Sequence, residues 1–371
     1  MARKKNGSGY IYQRGQRYYG RLRDGKTYDG KDKIVSFSGT TRSEVKQKIA
    51  EYKANKVSLD GRTTVERYMT YWMKTYKLGI IKPTSYDRCD TALRSDVFPY
   101  IGSVQMRALN SEVISRLLHR LKNEKGLAYS SIKKVFDLLR SALDDAVYER
   151  MIERNPMKRM KMLSRELFEN KEIRAFSEEE AARITEECKR VCKNGVRARQ
   201  YGDAFILIMN TGLRMSEALA LELTDWDREK KTIRVDKNEQ PVFKRDGNGD
   251  RIGGRTVVRG NGKTRASRRT VPLNAEATAA LTRMEAYAKK HRGRRFICGT
   301  DGKPLTASRL EHAFYAILKH LGIERTGIHT LRHTFASRLF ARNVDIKIIS
   351  SYLGHASITI TYNIRICSVS F

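Results

Sequence analysis

His329-Thr-Leu-Arg332-His-Thr-Phe-Ala-Ser-Arg-Leu-Phe340, followed by Tyr352-Leu-Gly-His355, is the stretch on which the reading of this chain turns. Residues three apart on a helix share a face. His329 and Arg332 can therefore address one small anion, and the pairing points to phosphate chemistry. Asn343 is a candidate left-handed cap ending this helix after Arg342, and Asp345 can N-cap a second one. The second helix then stops at Gly354, with His355 just beyond.

Upstream, the apolar run Ala204 to Met209 delivers Thr211-Gly-Leu-Arg214-Met-Ser-Glu217. The run reads as a buried helix, and Arg214, after a glycine break and before an amphipathic helix, sits at a junction. Thr232 to Val235, Thr256 to Arg259 and Arg269 to Pro272 are β-like, with a polar, glycine-rich insertion between the first two. Lys263 falls in the last turn before Arg269. This part of the chain, residues 174–371, opens near Phe176, where Ser177 precedes three glutamates and reads as an N-cap with an acidic first turn.

The middle of the chain, residues 63–160, reads as a helical bundle. Apolar spacing gives helices over Val65 to Tyr76, from Pro83 toward Val97, from Ser111 as N-cap to Leu121, and from Ser130 to Arg150, with Pro99 to Gly102 as a turn. Stripes such as Ile132, Val135, Leu139 and Leu143 mean core, so function falls to basic outer faces such as Lys133, Lys134 and Arg140, gripping a nucleic-acid backbone. The ordinary alternative is a solvated charged face. Before a polar linker around Val57 to Thr63, residues 1–58 carry two aromatic-rich runs around Gly15 and a third run, Lys33 to Ser38. Thr41 and Glu44 then form a capping box that opens a helix. One face of such a sheet can lie in a DNA groove, while about half of Tyr10, Tyr12, Tyr18 and Tyr19 pack the small core.

Composition agrees with a polyanionic partner. Lys and Arg total 74 against 41 Asp and Glu, a formal charge of +33 over 371 residues. That excess predicts nucleic acid, and no apolar run approaches the ~20 residues that span a bilayer. The basic N-terminus lacks a following apolar segment and is not a secretory signal, so a cytoplasmic location is expected. The five cysteines show no metal-ligand spacing; Cys188 and Cys192 are one turn apart, and two thiols do not complete a zinc site. His329 and His333, four apart, invite zinc as well, but Thr330 stands where the metalloprotease pattern has glutamate, and His333 reads as a core histidine. Taken singly, Arg214 is open to reading as a helix-start arginine paired with Glu217, His355 as a cap histidine, and Lys263 as one charge among Arg265, Arg268 and Arg269.

Together, Thr211-Gly-Leu-Arg214, Gly-Lys263-Thr, His329-x-Leu-Arg332-His and Leu-Gly-His355 stand in one order and spacing in which the chain resembles the tyrosine recombinases, or phage integrase family, and within it the integrases of conjugative transposons. The resemblance covers all three segments. It implies a mainly α fold with small β-sheets in three domains: an arm-type DNA-binding domain (1–58; a three-stranded sheet plus helix), a helical, SAM-like core-binding domain (63–160) and an α+β catalytic domain (174–371). It also implies site-specific integration and excision of a mobile element through a 3′-phosphotyrosine intermediate. Arg214 and Arg332 would clamp the phosphate, Lys263 protonate the leaving 5′ oxygen, His329 help deprotonate the nucleophile and His355 donate to the phosphate. The implied partners are double-stranded DNA at core and arm sites, three further copies in a homo-tetramer, and accessory excision or DNA-bending proteins. No metal, nucleotide cofactor or membrane is implied.

The chain departs from the family at the nucleophile. A tyrosine is expected nine or ten residues after His355, where Ile364 and Arg365 stand; Tyr362 is only seven residues on. Ile358, Ile360, Tyr362, Ile364 and Ile366 alternate with period two, which predicts a strand where the family has helix. Three readings are open: a catalytically silent DNA-binding protein with an altered end, use of Tyr362 after local rearrangement, and a tyrosine supplied by a partner.

Overall fold

The computed structural model describes residues 10–26, 32–55, 60–169, 174–193, 195, 197–261, 268–355 and 357–362. The chain divides into two compact units. One comprises Met1–Thr70, Val97–Arg120 and Phe136–Lys161, the other Tyr71–Asp96, Leu121–Val135 and Met162–Phe371.

In the first unit, strands β1 (Tyr10–Arg14), β2 (Arg17–Lys26) and β3 (Asp32–Gly39) form an antiparallel sheet in that order, with Tyr12 opposite Tyr19 and Leu22 opposite Val35. Helix α1 (Arg42–Asn55) packs on one face through Val45 and Ile49. A Cβ at Gly20 would lie 2.7 Å from both side chains, so the closeness of helix and sheet requires glycine there. Alternation along β2 places Tyr18, Gly20 and Leu22 on the helix side and Tyr19 and Arg21 on the open side. On that open side Tyr10, Tyr12 and Tyr19 stack in a row with centroids 5.8 Å apart. Thr41 caps α1, its Oγ1 accepting from Glu44 N at 3.1 Å, while the Glu44 carboxylate turns back to Thr40 rather than to Thr41.

Helix α2 (Val65–Trp72) widens into a π-helical turn, Met73–Lys77, and α3 (Pro83–Ala92) follows. Pro99 lies in a short helix, α4 (Phe98–Ile101), rather than in the expected turn, since a proline at the first helical turn forfeits no needed N–H. In α5 (Ser111–Asn123) the capping side chain is Asn110, not Ser111: Asn110 Oδ1 accepts from Val113 N at 3.0 Å. In α6 (Tyr129–Tyr148) the buried stripe holds as expected, but Arg140 is not an open backbone grip. Its Nη2 donates to the carbonyls of Met157 (3.0 Å) and Met160 (2.6 Å), tying down the chain that follows the helix.

In the second unit, α7 (Glu178–Lys189) starts at the expected capping box between Ser177 and Glu180. Helix α8 (Gly202–Thr211) is buried almost all round, so it forms the central rod of the core. Next come α9 (Met215–Ala220), β4 (Trp226–Asp227) and β5 (Thr232–Val235). The polar insertion is itself structured: β6 (Lys237–Arg245) pairs antiparallel with β7 (Arg251–Asn261) in a long hairpin. β8 (Arg269–Pro272) completes the sheet β4-β5-β8, and α10 (Ala275–Lys290), α11 (Ala307–Leu321), α12 (His329–Ala341) and α13 (Ile346–Leu353) follow. The hairpin is pinned to α3. Arg245 reaches Asp87 at 2.6 Å and Asp90 at 2.8 Å, Arg251 reaches Asp90 at 2.7 Å, and the Arg245 guanidinium lies 4.6 Å from the Tyr86 ring centre.

Residues 358–362 are helical, contrary to the strand predicted from alternation. The buried position there is the polar Thr361, while Ile358 and Ile360 are exposed, so the alternating isoleucines do not mark a sheet face. Among the described residues no helix is long and apolar enough to cross a membrane. Cys188 and Cys298 are buried thiols and Cys192 is exposed.

Candidate phosphate-binding site

Three chain breaks build the site. Gly212 ends α8 with φ of 65°, and a Cβ there would lie 2.5 Å from the Phe335 ring and 2.8 Å from Leu353; only glycine lets the chain turn against α12 and α13. Asn343 takes φ of 57° after α12, as its sequence position predicts, and Asp345 Oδ1 accepts from Lys347 N at 2.7 Å to start α13. Gly354, with φ of 64°, ends α13 and releases His355. These turns bring together four residues singled out in the sequence: Arg214, His329, Arg332 and His355.

Arg332 is the centre. Its side chain is wholly buried, with Nη1 donating to Gly212 O (2.7 Å) and Nη2 to Leu353 O (2.6 Å) and towards His355 Nε2 (2.8 Å). Among the described residues its Nε has no partner. Burial first, then Arg214, pushes the Arg332 pKa well below the arginine range, with Glu217 opposing; the group nevertheless remains a guanidinium, because arginine is not deprotonated in proteins.

Arg214 lies ahead of α9 and is held by Glu217. Glu217 Oε2 accepts from Arg214 N at 2.9 Å, and Glu217 Oε1 pairs with Arg214 Nη1 at 2.7 Å. The pairing with Glu217 that the ordinary reading of Arg214 called for is therefore present. Arg269, half-hidden in sequence among neighbouring cations, donates to both oxygens of the same carboxylate at 3.1 and 2.9 Å, and Arg332 Nη1 stands 3.9 Å away. Burial works against the Glu217 charge, but hydrogen bonds and charge from Arg269, followed by Arg214, hold its carboxyl down to about 2. Three guanidinium groups around one carboxylate leave a surplus of two positive charges, the electrostatic complement of a phosphate.

His329 opens α12, exposed at its rim, with its ring edge-on to His333 at 4.6 Å. Burial of the ring body, then Arg332 and Arg214, pushes its pKa down to about 4. His333 is also lowered to about 4 by burial, then by His329 and Arg332, as befits a packed histidine. His355 is taken down to about 3 by burial, then by Arg332, Arg214, His329 and Arg269. Its Nδ1 meets the hydroxyl of Thr361, a fully buried residue, at 2.8 Å. Arg269 and Thr361 were not picked out as functional from sequence. No spacing rule marks either of them: Arg269 acts through Glu217, 52 residues away in the chain, and Thr361 through a buried hydroxyl turned to His355.

Lys263 lies outside the described residues, between the end of β7 at Asn261 and the start of β8 at Arg269, and so does Arg365. Tyr362 is half-exposed. Among the described residues no group of three or more His, Cys, Asp or Glu side chains could hold a metal ion.

Known proteins are similar to this chain over most of its length. Residues 174–365 match the model of the phage integrase family, and residues 64–122 that of the phage integrase N-terminal SAM-like domain. A tyrosine recombinase XerC-like protein of Caldanaerobacter subterraneus subsp. tengcongensis is 29% identical, covering 98% of this chain and 95% of its own. An integrase of Saccharopolyspora erythraea is 22% identical over 96% of this chain and 92% of its own. Among solved structures, the Tn1549 transposon integrase in complex with a circular intermediate DNA superposes with a TM-score of 0.64 at 21% identity, covering 81% of this chain and 95% of that one. A lambda integrase tetramer bound to a Holliday junction gives 0.60 at 16% identity, covering 98% and 96%. The chain belongs to the phage integrase family, the tyrosine recombinases that cleave and rejoin DNA.

Proposed function

We propose that this protein is the integrase of a mobile element, that it binds double-stranded DNA inside the cell, and that Arg214, His329, Arg332 and His355, with Lys263, which follows β7 in the sequence, receive the scissile phosphate. The observation that carries the reading is the charge surplus around Arg332, together with its buried Nε, which has a proton and, among the described residues, no acceptor. A phosphate oxygen supplies both the missing acceptor and the missing negative charge. Arriving negative charge also raises the depressed pKa values of His329 and His355, so that His329 can take a proton from a nucleophile and His355 can gain one to donate. In the family reaction a tyrosine oxygen bonds to phosphorus, the 5′ oxygen leaves with a proton from Lys263, and the phosphotyrosine is later resolved by an attacking 5′ hydroxyl. Assembly as a homo-tetramer on core and arm sites, with accessory bending or excision proteins, is part of the same proposal.

The clamp and the cleavage step are separable in this chain. Arginine at 365 cannot form a phosphotyrosine, and Tyr362 neighbours Thr361, whose side is the buried one. We therefore propose that the chain binds and clamps its DNA without cutting it. The test is a nicked suicide duplex carrying the element's end, scored for a covalent protein–DNA adduct. No adduct is expected from the unaltered chain, and one is expected from Arg365→Tyr. An adduct from the unaltered chain that disappears in Tyr362→Phe overturns the silent reading and assigns the attack to Tyr362.

A further inference from the structure

We infer that Thr361 is a positioning residue: its buried hydroxyl accepts the Nδ1 proton of His355 and so turns the Nε2 lone pair onto Arg332. The argument runs along a chain of two hydrogen bonds. Arg332 Nη2 lies 2.8 Å from His355 Nε2, and a guanidinium can only donate, so Nε2 must be the acceptor. A neutral imidazole carries one proton, which therefore sits on Nδ1. That proton is directed at the Thr361 Oγ1, 2.8 Å away, in a residue with no exposed surface. His355 is held neutral, its pKa pushed down to about 3 first by burial and then by Arg332, Arg214, His329 and Arg269, so the one-proton form is the resting form at neutral pH.

The arrangement has two effects. It fixes the Arg332 fork by giving Nη2 a second acceptor besides Leu353 O, while Nε stays free for a ligand. It also ties the helix at 358–362 to the clamp through its one buried hydroxyl, so the rotation of that helix and the donor pattern of the clamp are set together. Successive helical residues point ~100° apart. With Thr361 turned to His355, Tyr362 is turned aside and is 50% exposed. An attack by Tyr362 would require breaking the Thr361 bond.

This inference deepens the phosphate-clamp reading, yet its test does not depend on DNA or cleavage. The full-length protein, labelled with 15N-histidine, is examined without DNA by long-range proton–nitrogen spectra. His355 is expected as the Nδ1–H tautomer, with a downfield imidazole proton protected from exchange with water. Thr361→Val removes the acceptor with little change of shape and should accelerate exchange of that proton by about tenfold or more, the equivalent of one hydrogen bond. Thr361→Ser should keep it protected. A looser helix alone would not give this split between valine and serine. An Nε2–H tautomer in the unaltered protein, or an equally protected Nδ1 proton in Thr361→Val, overturns the assignment. If Thr361→Val fails to fold, the tautomer of the unaltered protein and the serine variant still decide it. Failure of Arg365→Tyr to form an adduct would count against the cleavage reading and leave this result standing.

Discussion

The clamp around Arg332 and the open face of the β1-β2-β3 sheet are both basic, and the two regions are built in opposite ways. At the clamp the cations are buried or half-buried and share one carboxylate, and most of their donors already have acceptors. On the sheet Arg21 is exposed, lies 5.8 Å from the Tyr12 ring centre and flanks a row of stacked tyrosines. A buried charge must be placed before its ligand arrives, because the surrounding low dielectric punishes error. An exposed charge can find a phosphate by adjusting a flexible side chain. On the proposed function the first design would supply geometry for chemistry and the second affinity for a polyanion, and stability should depend on the first far more than on the second.

The largest expected effect is at Glu217. Glu217→Gln leaves three guanidinium groups without their carboxylate and should destabilise the second unit by about 3–5 kcal/mol in chemical denaturation; a loss below ~1 kcal/mol would break the contrast with the sheet. The acid limb sharpens it. Glu217 has a folded-state pKa of about 2, below its ordinary 4.5, so its contribution is complete above 4.5 and is lost as pH falls towards 2. His333 and His355, lowered to about 4 and about 3 from 6.5, likewise contribute fully only above 6.5 and lose that contribution as pH falls through those values. The variant should keep the histidine part of the acid limb and lose only the share that Glu217 adds between 4.5 and about 2.

A smaller effect is expected from anions. Sulfate should stabilise the unaltered protein by about 1–3 kcal/mol as it saturates the clamp, read as a rise in Tm. Arg332→Met should remove most of that rise, whereas Arg21→Ala should leave it intact; equal loss in both would mean that the clamp is no better an anion site than the surface. The smallest stability change belongs to Arg21→Ala itself, within about 0.5 kcal/mol. Its effect should appear instead in DNA binding, as a salt slope shallower by about 1.

Much of the clamp was legible because local chemistry forces it. Asn343, Asp345, Gly354 and the break before Arg214 are punctuation with a fixed backbone meaning, and they set where His329, Arg332 and His355 fall. What was not legible depends on partners distant in sequence. β6 reads as insertion because Pro241 and its charged residues resemble loop, and only its pairing with β7 makes it a strand; as one arm of a two-stranded hairpin it can hold a proline. The isoleucines at 358 and 360 suggest a strand face, yet burial there follows the hydroxyl of Thr361. On the sheet, aromatic content alone could not say which tyrosines face outward; the register places Tyr10, Tyr12 and Tyr19 on the open side and Tyr18 towards the helix.

The link between the β6-β7 hairpin and α3 bears on how such proteins exchange parts. Asp87 and Asp90 lie in the stretch matched to the SAM-like domain, while Arg245 and Arg251 lie in the stretch matched to the catalytic family. A chimera that took either stretch from a relative would separate the acids from their cations and leave Arg245, only 13% exposed, facing a stranger. In this chain the two stretches are therefore a matched set, with compatibility written in four side chains that contact neither the phosphate clamp nor the tyrosine row.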